Sequence, residues 1–72
     1  MIFYKLLSDP LTQKIYGATK IGADVTISFV FDPANTNYQQ FKIQVADGTP
    51  LEDPDGNVMT QEQVDEFLRT IP

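Results

Sequence analysis

From Ile2 to Ser8 the chain runs through aromatic and aliphatic residues and halts at Asp9-Pro10. Proline has no N–H to give to a ladder, so the segment reads as a strand closed by a turn. Ile15 to Lys20 reads as a second strand, in which Gly17 marks a bulge or a close backbone approach. Ile21 to Asp24 supplies the next turn. Val25 to Phe31 carries the cleanest alternation: Val25, Ile27, Phe29 and Phe31 share one face, Thr26, Ser28 and Val30 the other. Three strands joined by short turns predict an antiparallel meander.

Asp32 to Asn37 is dense in turn and capping residues. Beyond it two periods compete. Tyr38, Phe41, Lys42 and Val45 suit one helix face, while Phe41, Ile43 and Val45 also alternate as a strand would. Length favours a helix of about 10 residues closed by Gly48. Thr49 to Val58, with its prolines and Asp55-Gly56, reads as a loop. Thr60 and Gln63 have the spacing of a capping box, and Met59 and Val64 that of a hydrophobic staple. Val64, Phe67, Leu68 and Ile71 then form one apolar stripe of a C-terminal helix. Glu62 falls near its positive end and Arg69 near its negative end.

The predicted organisation is a single small domain over residues 1–72. Residues 1–48 form the sheet and first helix, 49–59 an acidic loop, and 60–72 the C-terminal helix. The fold class is α+β: a three-stranded antiparallel sheet with one or two short helices packed on one face. Phe3, Leu6, Ile15, Val25, Ile27, Phe29, Phe31, Tyr38, Phe41, Val64, Phe67 and Leu68 are the expected core. Such a sheet has two edges, whose unpaired backbone groups invite another chain, and a homo-oligomer is a further expectation.

Composition adds exclusions. At 42% hydrophobic and 21% charged, the 72 residues match ordinary globular usage, so folding is expected. With no Cys there are no disulfides or thiolate metal sites, and with no His the commonest metal ligand and neutral-pH proton carrier is missing. The apolar start is too short for a signal peptide, and no run approaches the ~18 apolar residues that span a bilayer. The chain is therefore expected to be soluble.

The net charge of -5 is unevenly placed, with +1 on residues 1–46 and -6 on residues 47–72. Nucleic acid and anionic membranes would repel that C-terminal third, whereas a basic protein surface or a cation would not. Asp53, Asp55, Glu62, Asp65 and Glu66 are the candidate partner-binding residues. The plainer reading is a solvated acidic face that keeps a small protein soluble.

Residues 51–62 also resemble a calcium loop in part. Asp53 and Asp55 fall at ligand positions 3 and 5, Gly56 at the sharp turn and Glu62 at the closing position. Leu51 occupies the first ligand position and has no oxygen to offer, so the segment reads as an Asp-Gly turn feeding a helix. Asp65 and Glu66 are adjacent and point to different sides of a helix, and Ser8 and Ser28 have no His to activate them. Gly17, Gly22, Gly48 and Gly56 are too scattered to cradle a phosphate. Neither catalysis, nor a cofactor, nor a metal is expected. The aromatic residues read as core with tyrosine hydroxyls at its rim, rather than as a platform for nucleic acid.

Four segments, taken in order, resemble a short module of small bacteriophage proteins. They are Tyr4-Lys5-Leu6, Asp9-Pro10-Leu11-Thr12, the run Phe31-Asp32-Pro33-Ala34-Asn35-Thr36-Asn37-Tyr38-Gln39, and Ala46-Asp47-Gly48-Thr49-Pro50. The resemblance covers residues 4–50, and Asp-Pro-Ala-Asn-x-x-Tyr-Gln is its most specific part. Lys42 and Gln44 depart from it, standing where the module carries an aliphatic and an aromatic residue. The resemblance implies a phage origin and a virion- or tail-associated protein. The expectation is therefore a non-enzymatic structural protein, capsid-decorating or tail-associated, found in the virion or the host cytoplasm. It would act through contacts with a phage shell or tail protein. The charge pattern gives a second expectation, a small acidic adaptor or inhibitor docked on a basic surface of a host enzyme.

Overall fold

The computed structural model describes residues 2–71; Met1 and Pro72, the ends of the predicted domain, lie outside the described residues. Its elements are β1 (Phe3–Ser8), β2 (Ile15–Ile21), β3 (Thr26–Val30), α1 (Thr36–Ala46), β4 (Leu51–Glu52) and α2 (Gln61–Leu68). The fold is α+β, and β1, β2 and β3 pair antiparallel as expected. The sheet nevertheless has four strands, in the order β3-β2-β1-β4, and β4 runs parallel to β1. This corrects the all-antiparallel, three-stranded prediction, which left residues 49–59 as loop. Two extended residues are too few to show a period of two. The backbone makes the connection, Tyr4 N–H donating to the Pro50 carbonyl at 3.0 Å, and Leu51 is fully buried.

Strand parity decides what is inside. Leu6, Ala18 and Phe29 lie side by side across the sheet, as do Tyr4, Lys20 and Ile27 in the next row. Tyr4, Leu6, Ala18 and Phe29 join Tyr38, Phe41 and Val45 of α1, Val64 of α2 and Leu51 in one buried cluster. Both helices therefore cover the same face. Three residues expected in the core are outside it. Phe3 has the opposite parity to Leu6 and is only half-buried, on the face that carries no helix. Val25 and Ile27 have the expected parity but extend past the helices and are exposed. Ile15, Phe31, Phe67 and Leu68 pack against the cluster without being fully buried.

Residues 36–46 are helical, which resolves the competing periods, and α1 begins two residues before Tyr38. The Asn35 side-chain oxygen caps it, accepting from the N–H groups of Asn37 (2.8 Å) and Tyr38 (3.3 Å). At the other end Gly48, at φ +109°, turns the chain. Gly48 N–H donates to the Val45 carbonyl and Thr49 N–H to the Gln44 carbonyl, the two bonds of a Schellman stop. The 31–39 run thus builds local structure: Asp32 accepts from Ala34 N–H, and the Gln39 amide donates to the Pro33 carbonyl. Gln44 and Lys42 also have packing roles. Gln44 accepts the Tyr4 hydroxyl, and the Lys42 ammonium sits 4.7 Å from the centre of the Tyr38 ring.

The capping box of α2 is present, with Gln63 N–H on the Thr60 hydroxyl and Thr60 N–H on the Gln63 side chain. The helix ends at Leu68 rather than running through residues 60–72, and Arg69 is its C-cap. Gly17 is a close approach: a Cβ there would lie 2.2 Å from the Phe29 carbonyl oxygen. It also adjoins a register shift between Leu7 and Ser8.

Candidate functional site

The five predicted acids do not form one patch. Asp53 builds the turn after β4. Its carboxylate accepts from the backbone N–H groups of Asp55 and Asn57, each at 2.9 Å, while its own carbonyl accepts from Gly56 N–H at 3.0 Å. The hydrogen bonds, that from Asn57 N–H foremost, hold the Asp53 carboxyl below its ordinary pKa. Asp55, at the turn's exposed tip, borders a cleft with Ser8, Gln13 and Pro54. Glu62 is exposed in the first turn of α2. Asp65 accepts the Gln61 side-chain amide at 3.0 Å, one helical turn away.

Asp53 and Glu66 are the pair that the fold brings to a common cleft. It has a volume of about 370 Å3, a lining of Leu6, Met59 and Phe67, and Gln63 and Thr70 at its border. An apolar lining with two carboxylates suits an aliphatic or aromatic group carrying a positive charge. Among the described residues, no group of three or more Asp or Glu is arranged to hold a metal ion. The calcium-like spacing is used by the Asp53 turn, with Gly56 at φ +92°.

A second surface lies opposite the helices. The strand register puts Phe3, Lys5 and Leu7 of β1, Thr19 and Ile21 of β2, and Thr26, Ser28 and Val30 of β3 on that side. A shallow depression of about 420 Å3 there is lined by Leu7, Tyr16, Ser28, Phe29 and Val30. The Thr19 and Ser28 hydroxyls are 3.0 Å apart. The surface ends at β3, the free edge of the sheet, where Val25, Ile27 and Val30 are 44%, 38% and 53% exposed. Sequence reasoning foresaw sheet edges without saying which strand would form one. The available signal was that Val25 to Phe31 contains no charged residue and no proline.

Comparison of the chain with protein-family models, with curated proteins and with solved structures finds no match. No helix among the described residues is long and apolar enough to cross a membrane.

Proposed function

We propose that this chain is a non-enzymatic structural protein of a bacteriophage particle, capsid-decorating or tail-associated, acting through protein–protein contacts. The observation that carries the binding part is the sheet face without helices, which continues into an uncharged free edge. Apolar side chains next to unpaired strand groups are what an assembling protein offers a neighbour. The phage assignment rests on the resemblance over residues 4–50. Quantitative mass spectrometry of purified particles and of the soluble fraction of infected cells tests it. Recovery at a fixed ratio to the major shell protein is the expected result; recovery only in the soluble fraction overturns it.

One observation favours a second reading, an acidic adaptor or inhibitor in the host cytoplasm. The Asp53–Glu66 cleft matches a basic side chain of a partner protein in charge and in apolar lining. Such binding weakens steeply with salt and is lost when Glu66, at the cleft, is replaced by lysine. Binding indifferent to salt removes this reading.

A further inference from the structure

The cleft shared by Asp53 and Glu66, at about 370 Å3, is at the small end of ligand pockets, the size of one long side chain rather than of a folded element. Its floor is Leu6, Met59 and Phe67, and no lysine or arginine lines it. Arg69, the C-cap of α2, is exposed outside the lining, and Lys5 belongs to the other face of the sheet. A cation that balances the two carboxylates therefore has to come from another molecule.

Hydrogen bonding within the chain decides what each polar group can still do. Asp53 Oδ1 accepts two backbone N–H groups, from Asp55 and Asn57, and Oδ2 meets the Asn57 amide only at 3.4 Å. One oxygen of that carboxylate is left for a ligand. The Thr70 hydroxyl spends its proton on the Phe67 carbonyl at 2.7 Å, which leaves its lone pairs. The Glu66 carboxylate has no hydrogen bond or ion pair among the described residues. The rim thus offers acceptors on three separate residues, two of them negative, beside the negative end of the α2 dipole. A guanidinium fork needs both oxygens of one carboxylate for its bidentate contact, which Asp53 does not provide. An ammonium brings three rotatable donors on a flexible four-carbon stem. The Gln63 side-chain oxygen is taken by Thr60 N–H at 2.9 Å, so its NH2 group remains as a donor for a carbonyl. A peptide carries that carbonyl next to its lysine, and a free diamine does not.

We propose that this cleft receives a single lysine side chain of a partner protein. The stem lies over Leu6, Met59 and Phe67, and the ammonium is shared by Asp53, Glu66 and Thr70. The net charge of -6 on residues 47–72 draws the cation in from a distance. The inference rests on the second reading above, in which this surface meets a basic partner, and names the group it takes.

Titration of the isotope-labelled chain with a capped Gly-Lys-Gly peptide, whose one charge is the ammonium, tests this by NMR. The expected Kd is on the order of 1–10 mM, as for one side chain, with shifts centred on Leu6, Met59, Phe67 and Thr70. The norleucine analogue binds about tenfold more weakly and the arginine analogue about threefold. Glu66→Gln weakens the lysine peptide about tenfold. Glu62→Gln, the same charge lost at an exposed position outside the cleft, changes it by less than about twofold. Asp53 is kept, because it builds the turn. Absence of shifts at the cleft up to about 50 mM peptide overturns the proposal. So do equal losses in the two variants, an arginine peptide that binds as tightly as the lysine one, or putrescine that binds more tightly than either. A lysine peptide seated in the cleft of a chain whose partner binding ignores salt sinks the adaptor reading alone. Salt-sensitive partner binding by a chain whose cleft takes no lysine peptide sinks this inference alone.

Discussion

At position 17 there is no flexible side chain to yield, because the neighbour is the Phe29 backbone. Gly17→Ala is expected to force β2 and β3 apart and cost about 1–3 kcal/mol, the range for an overpacked site; urea denaturation measures it, and an unchanged midpoint removes the account. Asp53 makes a pH prediction. Its folded pKa is depressed, so its contribution is present above the unfolded value and is lost as pH falls through the folded one. Asp53→Asn keeps an acceptor oxygen but loses the titration. Denaturation curves in steps below about pH 4, near the unfolded carboxylate value, should show a shallower acid loss in the variant; equal slopes would assign the loss to other carboxylates. Parity in β1 shows where single residues resist reading. Ile2, Phe3, Tyr4, Leu6 and Leu7 are apolar on both faces, so sequence did not distinguish Tyr4 as the inward residue and Phe3 as the outward one.

Elements were legible where their ends carried chemistry. The Thr60–Gln63 box located α2, and the Asn35 cap with the Gly48 stop brackets α1 even though its middle reads two ways. Asn35→Ala is expected to cost about 0.5–2 kcal/mol and Asn35→Asp to retain most of the stability, since aspartate caps as well as asparagine. Thermal denaturation followed by circular dichroism checks the order, and equal losses in the two variants would contradict it. β4 was illegible because its identity comes from the strand it joins: two residues have no period, and Leu51 is buried by tertiary pairing alone. Val25 and Ile27 were read on the correct face, but how far α1 and α2 reach along β3 is a property of packing, not of alternation.

Over the whole molecule, the acidic excess of the C-terminal third was plain from composition, while its division was not. Folding commits Asp53 to a turn, sends Asp55 to a different cleft, ties Asp65 to Gln61, and leaves Glu66 beside Asp53. The chain path has a kinetic consequence as well. β1 pairs with β2 through a short hairpin, but its other neighbour, β4, arrives only after β2, β3 and α1 have been laid down. Closing that long loop is entropically late, whereas the hairpin is local. The order expected is hairpin first and β4 last, so contacts at Leu51 are absent from the transition state. Leu51→Ala should lose about 2–5 kcal/mol, as buried leucines do. Nearly all of that loss is expected as faster unfolding, with the refolding rate almost unchanged in stopped-flow measurements. A chain built this way is sealed by its C-terminal side, and it opens there first.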